Sequence, residues 1–469
     1  MTNQNTPKKQ IKIQPHKSSF ATISGANKYL VLADNFLEKH PDILYWTEKN
    51  STKKGLFYYY TEGLYSIVST LEIEQMLIDY IPEDKSVVIP CNLSHAKQME
   101  TMINIMRRRF FYRECFNPEG IINFRNGFFN VSGGDLSPHT MDIISTNQLP
   151  YNYDKQAKCE NFMKALNDAT GRDLYKISII QEFAGYCLTR DTKLEKVLFL
   201  IGAAGSGKSS VLEGLETMLG KENVSHTSMD QLCQPRYAGN FIDKIANIDT
   251  EIPKDIKGYE SVLNKIVSGE SVKVDTKFIP SYDARPYCKL IFAANDMPNI
   301  GDTSDSVFRR MLLIYFNNVI SKEKIDMELK NKIRSEGAGI FNWAFEGMNR
   351  LIGRRKFTES IEMTADIEEL KMQNNAIYYF INENYDVGLE EKEYIPITNI
   401  YDTYIKFCHS IKAKGIYKKP IFGKEVLKVF NKKVRKAQKR IGGVNCRVLT
   451  GIRAKDTYSK SNEEINWND

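Results

Sequence analysis

The sequence predicts an α/β protein centred on a parallel sheet, and two observations support this fold class. Short apolar runs alternate with helical segments between residues 196 and 353, the order typical of parallel strands joined by helices. One of these runs, Val197 to Ile201, leads directly into a glycine-rich turn and then into a helix-like run. A strand, a glycine-rich turn and the start of a helix in this order form a cradle for phosphate groups.

The glycine-rich turn has the pattern Gly202-x-x-x-x-Gly207-Lys208-Ser209. Glycines let backbone N–H groups converge on phosphate oxygens, the lysine reaches the outer phosphates, and the serine hydroxyl binds Mg²⁺. The turn therefore predicts a site for ATP with Mg²⁺. The predicted nucleotide-binding residues are Gly202, Ala203, Ala204, Gly205, Ser206, Gly207, Lys208, Ser209 and Ser210.

A second apolar run, 245–248, ends in the acidic segment Asp249-Thr250-Glu251. A carboxylate at a strand tip beside the cradle can hold Mg²⁺ through water, and a neighbouring carboxylate can polarise the attacking water. We predict that Asp249 serves the metal, as Ser209 does, and that Glu251 is the general base. Spacing alone does not orient the two carboxylates, so their roles can be exchanged.

Two later positions complete the set expected of an ATPase. Asn295 follows the apolar run 289–294, and a buried amide is costly unless polar groups such as a γ-phosphate and its attacking water pair with it. Arg309 and Arg310 precede the apolar run 311–316. An arginine from a neighbouring subunit can neutralise charge that develops at the γ-phosphate. The sequence does not distinguish the two arginines, and a surface salt bridge is the alternative.

Composition limits the class of protein. A hydrophobic content of 42% and a charged content of 26% are typical of soluble globular domains, and 469 residues suggest two to four of them. No uncharged apolar run approaches the roughly 18 residues that a membrane span needs, and the polar, basic N-terminus lacks the apolar core of a secretory signal. The scattered cysteines form no CxxC pair, which disfavours a zinc ribbon or a disulfide framework and is typical of a cytoplasmic protein.

The region before the cradle predicts an α+β domain. Residues 55–69 alternate as a hairpin that turns at Glu62-Gly63, and residues 71–81 have helical spacing. The aromatic residues of the hairpin can stack on nucleic-acid bases, but core packing is the more common role of such residues.

The C-terminal region is strongly basic: residues 401–460 contain 17 Lys and Arg against 3 Asp and Glu. Such a block predicts a module that binds a polyanion. Residues 399–410 and 422–439 have helical spacing, and residues 446–455 predict a strand pair or wing. This order favours a winged-helix domain that reads duplex DNA, with a protein-binding domain as the alternative. The predicted DNA-binding cations of the second helix are Lys428, Lys432, Arg435, Lys436 and Lys439.

The order and compactness of the ATPase segments resembles superfamily 3 helicases, which have an AAA+-like P-loop core. More closely, the chain is similar to the helicase half of phage and plasmid primase-helicases of the satellite-phage and poxvirus type. The segments that carry the resemblance are QEFAGYCLTRDTKLEKVLFLIGAAGSGKSS, RYAGNFIDKIANIDTE and CKLIFAANDMPNIGDTSDSVFRRMLLIYF. The whole layout resembles the replication initiators of staphylococcal pathogenicity islands, which implies origin binding, mobile genetic elements and a bacterial host cell.

The resemblance further implies a hexameric ring that moves 3′ to 5′ along single-stranded DNA. It places a hairpin that projects into the ring channel at residues 271–287, where Lys273, Lys277 and Arg285 would contact phosphates and Phe278 would press against sugar or base. An exposed ordinary hairpin is the alternative. The implied domains are a disordered basic arm (1–19), an N-terminal α+β domain (20–150), the helicase ATPase domain with its helical leader (151–355), a helical linker (356–395) and the basic winged-helix-like domain (396–469).

The leading hypothesis is a self-loading replicative DNA helicase that binds duplex origin DNA and unwinds it. Two other functions stay open at the level of sequence. One is a DNA-binding regulator whose ATPase switches its assembly without unwinding. The other is a primase-helicase, although residues 1–150 contain neither a recognisable zinc motif nor a convincing pair of metal-binding acids.

Overall fold

The computed structural model describes residues 27–46, 55–80, 95–109, 111–112, 116–275, 281–300, 306–321, 326–413, 415–430 and 433–455. The predicted basic arm and three of the predicted DNA-contacting residues, Lys277, Phe278 and Lys432, lie outside these ranges. Contacts divide the chain into two units. The first is Met1–Pro118 with His139–Thr146, and the second is Glu119–Pro138 with Asn147–Asp469.

The first unit is an α+β domain. Its elements are α1 (Asn27–Lys39), β1 (Ile43–Trp46), β2 (Leu56–Thr61), β3 (Leu64–Val68), α2 (Thr70–Tyr80), α3 (His95–Arg109) and β4 (Phe111–Tyr112). The strands form one sheet in the order β3-β2-β1-β4. The predicted hairpin and helix are therefore confirmed.

The turn of that hairpin explains why it forms where the sequence predicts. Glu62 and Gly63 have φ values of 48° and 86°, and a two-residue turn with positive φ at both positions matches the twist of the flanking strands. Phe57, Tyr58 and Tyr65 are buried, so these three aromatic side chains pack in the core of the unit.

The second unit begins with a small antiparallel sheet and continues into a large α/β core. Its elements up to the linker are β5 (Ile121–Phe124), β6 (Gly127–Asn130), β7 (Asp135–Ser137), α4 (Glu160–Thr170), α5 (Leu174–Cys187), β8 (Val197–Gly202), α6 (Lys208–Leu219), β9 (Val224–Ser225), α7 (Met229–Leu232), β10 (Ala246–Asp249), α8 (Glu260–Val267), β11 (Val272–Val274), β12 (Tyr282–Ala284), β13 (Lys289–Ala294), β14 (Met311–Phe316), α9 (Leu329–Arg334), α10 (Gly337–Arg354) and α11 (Ile361–Asn374). Strands β5 to β7 group with this unit, whereas the sequence analysis assigns them to the N-terminal domain.

The central sheet has the order β14-β8-β13-β10-β9, and every neighbouring pair is parallel. All six residues of β8 are buried. Leu198 and Leu200 pack into one hydrophobic cluster, and Val197, Phe199 and Ile201 pack into another. Successive side chains of a strand point to opposite faces, so the sheet is covered on both sides. Burial on both faces explains why its strands are continuous apolar runs in the sequence, and the predicted parallel sheet is confirmed.

The end of the chain forms a separate hydrophobic core. It contains α12 (Ala376–Asn384), β15 (Tyr385–Val387), β16 (Tyr394–Pro396), α13 (Ile397–Ser410), α14 (Lys419–Val429), β17 (Arg435–Ile441), β18 (Val444–Thr450) and β19 (Ile452–Ala454). A three-stranded antiparallel sheet has the order β16-β18-β17. Helix α12, which the sequence analysis includes in the linker, contributes Ile377 and Phe380 to this core.

One predicted helix is wrong in the structure. The sequence predicts a single amphipathic helix over residues 422–439, but α14 ends at Val429, and Arg435, Lys436 and Lys439 lie in strand β17. The physical reason is the pairing of β17 with β18 across the turn Gly442-Gly443, whose φ values are 56° and 85°. A pair of glycines between two strands favours a tight hairpin. Among the described residues, no helix has the length and apolar character needed to cross a bilayer.

Candidate active site

The loop predicted to bind phosphate connects β8 to α6. Gly205 and Gly207 have φ values of 79° and 92°, a backbone region that residues with a Cβ rarely adopt. A Cβ on Gly207 would also lie 2.6 Å from the Cβ of Ala169 in α4. Gly207 is the N-cap of α6, so the positive end of this helix faces the loop and favours an anion there.

Lys208 links the loop to the neighbouring strand tip. Its ammonium donates hydrogen bonds to the carbonyl oxygens of Gly202 and Ala203, the latter at 3.0 Å. It lies 3.4 Å from the side-chain oxygen of Asn295, beyond the end of β13. Burial lowers the pKa of Lys208. The structure thus brings together two residues that stand 87 positions apart in the chain.

A cavity of about 610 Å³ opens beside the loop. Loop residues from Ala204 to Ser210 line one side of it, and Thr250, Ala294 and Asn295 line the strand tips. Most of the remaining wall comes from α4, from the segment before α9 and from the first turn of α9, and it includes Asn161, Lys164, Ala165, Asp168, Asp326, Met327, Leu329 and Lys330. The sequence does not predict this wall, because no local pattern places residues 161–168 or 326–330 beside a loop at 202–209.

The two candidate carboxylates at the tip of β10 have different surroundings. Asp249 is 5% exposed, and its oxygens accept hydrogen bonds from the backbone N–H groups of Met229 at 2.8 Å and Glu251 at 2.9 Å. Glu251 is exposed, and within the described part of the chain its carboxylate makes no hydrogen bond or ion pair. Asp249 therefore has a fixed position, whereas the Glu251 side chain is available to solvent. Of this acidic segment, Thr250 is the residue that lines the cavity.

The residues present are compatible with Mg²⁺. In nucleotide sites this ion takes one or two protein oxygens and completes its shell with phosphate and water. Ser209 lies exposed in the first turn of α6 and lines the cavity, and each Asp249 oxygen retains a further lone pair. Within the described residues, no cluster of three or more His, Cys, Asp or Glu side chains is arranged to hold a metal ion.

The two adjacent arginines differ sharply in their environment. The side chain of Arg310 is 9% exposed and forms an ion pair with Glu195 at 2.6 Å. Its guanidinium also donates to the backbone oxygen of Ser306 at 2.8 Å and to Ser268 Oγ at 3.2 Å. Arg309 is exposed, and its guanidinium has no partner among the residues that the structure describes.

Both arginines lie at the end of the sheet opposite to the phosphate loop. They precede β14, which pairs in parallel with β8 so that Met311 is opposite Val197 and Phe316 is opposite Gly202. Six residues of strand span about 20 Å. Neither arginine is therefore close to the phosphate loop of its own chain.

The segment 271–287, for which the resemblance implies a hairpin, forms two short strands. Strands β11 and β12 pair antiparallel, with Val272 opposite Ala284 and Lys273 opposite Asp283. Lys273 and Arg285 are exposed. The tip, which contains Lys277 and Phe278, lies outside the described residues.

The predicted cations of the end domain that the structure describes lie on the β17–β18 hairpin and on α14. Arg435 and Lys439 lie on one face of the β17–β18 hairpin, where Arg435 pairs with Glu391 and the Lys439 ammonium lies 4.0 Å from the centroid of the Tyr394 ring. The other face carries Lys436, Arg440 and Arg447, all exposed. On α14, Lys428 is 3.6 Å from Glu425. Arg440 and Arg447 were not predicted, although the pair Gly442-Gly443 is a hairpin-turn signal that would have placed them on two paired strands.

Three family models match successive parts of the chain. A model described as "D5 N terminal like" matches residues 39–171, one described as a family of unknown function (DUF5906) matches residues 200–310, and one described as "Poxvirus D5 protein-like" matches residues 372–466. The second of these ranges runs from the phosphate loop to Arg310.

Two curated relatives are viral proteins named as helicases. The chain is 22% identical over 400 residues to "Putative helicase 184R" of Invertebrate iridescent virus 6, a match that covers 74% of this chain and 39% of the relative. It is 23% identical over 344 residues to "Putative helicase 121R" of Invertebrate iridescent virus 3, covering 63% and 36%. The chain thus spans less than half the length of these curated relatives.

Solved structures of the NrS-1 C-terminal region in its apo state share the fold. One of them superimposes with a TM-score of 0.51 at 13% identity, over 90% of this chain and 99% of that one. A second, of residues 305–718 of NrS-1, gives a TM-score of 0.50 at 14% identity over the same shares.

Proposed function

We propose that this chain, which resembles superfamily 3 helicases of the phage and poxvirus type, is a replicative DNA helicase that hydrolyses ATP between neighbouring copies of itself. The 3′ to 5′ direction, the hexameric ring and the binding of origin DNA belong to this proposal.

The observation that carries the proposal is the separation of Arg309 from the phosphate loop of its own chain. An exposed arginine about 20 Å from its own loop cannot neutralise charge on its own nucleotide. In a closed ring, the end of the sheet that carries Arg309 in one subunit faces the phosphate loop of the next subunit. Arg309 then completes the neighbour's site, and Arg310, which is held inside its own subunit, does not.

Within one subunit, the residues of the loop and strand tips have separate tasks. Backbone N–H groups of the loop and Lys208 hold the phosphates. Ser209 and Asp249 would hold Mg²⁺, which when bound neutralises charge between the outer phosphates. Asn295 lies beside Lys208 and orients the attacking water, and the exposed Glu251 accepts its proton.

Single-stranded DNA is the proposed partner of the β11–β12 hairpin. Lys273 and Arg285 are exposed on the hairpin, and Lys277 and Phe278 extend the predicted contact surface. Cations that follow the phosphate backbone and an aromatic side chain that stacks on a base bind single strands with little sequence preference, as translocation requires.

Duplex origin DNA is the proposed partner of the end domain. The end domain has the element order α12, β15, β16, α13, α14 and the β17–β18 hairpin, which supports a winged helix with α14 as the recognition helix and the hairpin as the wing. Lys436, Arg440 and Arg447 share the face of the hairpin that carries Leu449 into the domain core. On α14, Lys424 and Lys428 are exposed. Arg435 and Lys439 lie on the other face and already have partners. The face with Lys436, Arg440 and Arg447, which we call the open face, therefore offers the contacts to DNA phosphates.

The experiment that tests the proposed function compares Lys208→Ala with the natural chain on a forked duplex. We expect the natural chain to displace a strand with ATP, and Lys208→Ala to bind duplex DNA normally without hydrolysis or displacement. Normal unwinding by Lys208→Ala would refute the proposal.

The same assays separate the other two functions. Hydrolysis and duplex binding without strand displacement would indicate an ATP-switched regulator. Products in a primer-synthesis assay would indicate a primase-helicase.

A further inference from the structure

We propose that Arg310 is a positioning residue that couples the channel hairpin to the exposed Arg309, so that DNA in the channel controls hydrolysis at the neighbouring subunit. The inference rests on the proposed function. The guanidinium of Arg310 contacts two segments, one that precedes the phosphate loop and one that precedes the hairpin. Arg310 itself belongs to the short turn that also contains Arg309, so three segments meet at this residue.

The first link is to the approach to the phosphate loop. Glu195 stands two residues before β8, and its carboxylate lies 2.6 Å from Arg310 Nη2. Glu195 has a φ of 49°, a left-handed conformation that costs free energy for a residue with a Cβ. A strained backbone that places a carboxylate on a buried guanidinium indicates a functional contact.

The second link is to the approach to the channel hairpin. Ser268 caps the C-terminal end of α8, and Val272 begins β11 only four residues later. Arg310 Nη2 lies 3.2 Å from Ser268 Oγ, and Asn264 of α8 donates to Ser306 Oγ at 3.0 Å. A shift of the hairpin that moves the end of α8 therefore acts directly on the side chain of Arg310.

The third link is to Arg309. Arg309 and Arg310 are the last two residues of one 3₁₀ turn, Phe308–Arg310, so a displacement of Arg310 displaces Arg309. Lys196, the residue after Glu195, donates to the backbone oxygen of Arg309 at 2.5 Å. The two residues before β8 thus contact both arginines. Glu195 pairs with the side chain of Arg310, and Lys196 bonds to the backbone of Arg309.

The contacts around Arg310 do not satisfy all of its hydrogen-bond donors. The Nε–H of Arg310 is buried without a hydrogen-bond partner, and a buried unsatisfied donor is unfavourable unless another role maintains it. An arginine that exchanges partners when the hairpin moves explains both the incomplete hydrogen bonding and the strain at Glu195.

The test measures steady-state ATP hydrolysis with and without oligothymidylate. Glu195→Gln removes the charge of the ion pair, and Ser268→Ala removes the contact with the end of α8. We expect both variants to keep the basal rate and the KM for ATP of the natural chain, while the stimulation by DNA falls by at least about fivefold. A residue with a purely structural role would not change the stimulation ratio while leaving the basal rate intact.

The matched control is Glu270→Gln, which changes an exposed carboxylate close to Ser268 and is expected to retain full stimulation. If the natural chain shows no stimulation by DNA, the proposed function fails. If the natural chain is stimulated and both Glu195→Gln and Ser268→Ala are stimulated equally well, the coupling role of Arg310 is refuted and the proposed function stands. The melting temperature of each variant establishes that it is folded.

Discussion

The ammonium of Lys208 lies 3.4 Å from the side-chain oxygen of Asn295. The first residue follows β8 and the second follows β13, and these strands are parallel neighbours. Parallel strands carry their C-terminal ends to the same edge of the sheet, where ligands of open α/β sheets bind. The contact therefore marks the position at which a terminal phosphate would meet the sheet.

The first prediction concerns Asn295. Replacing it with alanine removes a polar group beside Lys208 without changing the loop, so ATP should bind with nearly unchanged affinity while kcat falls about 100-fold. Equilibrium binding of a fluorescent ATP analogue and steady-state hydrolysis measure the two effects. A parallel loss of affinity would show that Asn295 serves binding and not the chemical step.

The second prediction concerns Arg309. Arg309→Ala should lower kcat by about a thousandfold, the effect of losing an arginine finger, while each subunit still binds ATP. Mixing Arg309→Ala with Lys208→Ala should restore part of the hydrolysis, because some interfaces then combine an intact loop with an intact arginine. Mixtures that stay inactive would contradict a site shared between subunits.

The third prediction concerns the glycines. Gly207→Ala introduces a Cβ at a φ of 92° and 2.6 Å from Ala169, so we expect the free energy of unfolding to fall by about 1–3 kcal/mol and ATP binding to be lost. The control is Gly353→Ala in α10, where an added Cβ meets nothing within 4 Å and helix propensity should add up to about 1 kcal/mol. Urea denaturation followed by tryptophan fluorescence measures both, and equal stabilities would refute the steric argument.

The fourth prediction concerns Glu182, which is fully buried. Its carboxylate accepts from Arg350 Nε at 2.7 Å and from the Thr358 N–H at 2.7 Å. Glu182→Ala should cost about 3–5 kcal/mol because it leaves a partly buried cation and a partly buried N–H without this acceptor. Glu359 pairs with Lys356 at 3.5 Å on the surface. Replacing Glu359 with alanine should lower the free energy of unfolding by less than about 1 kcal/mol. The same denaturation experiment compares the two, and similar losses would contradict this account.

The fifth prediction concerns the two faces of the β17–β18 hairpin. Lys436→Ala with Arg447→Ala removes two cations from the open face, so duplex affinity should fall and the slope of log affinity against log salt should decrease by about 2. Arg435→Ala with Lys439→Ala removes the same charge from the face where both side chains already have partners. We expect this control pair to change the slope less. Equal effects from both pairs would show that non-specific charge, and not the open face, governs binding.

The sequence by itself determined the glycine-rich loop, its flanking strand and helix, and the parallel character of the sheet. These features depend on local chemistry: glycines where φ is positive, a lysine and a serine at the start of a helix, and continuous apolar runs where strands are buried on both faces. The turn at Glu62-Gly63 belongs to the same class, because the conformation of two adjacent residues defines it.

Only the tertiary structure decided which of Arg309 and Arg310 is exposed and which is buried in an ion pair. Their side chains are chemically identical, and the difference comes from Glu195, more than a hundred positions away. In the same way, residues 435–439 carry a helical pattern of charges but form a strand, because pairing with β18 overrides local preference. The wall of the cavity at residues 161–168 and 326–330 also became visible only in the fold. Local conformation follows from neighbouring residues, whereas burial, ion pairing and access depend on contacts between distant segments, which no short sequence pattern encodes.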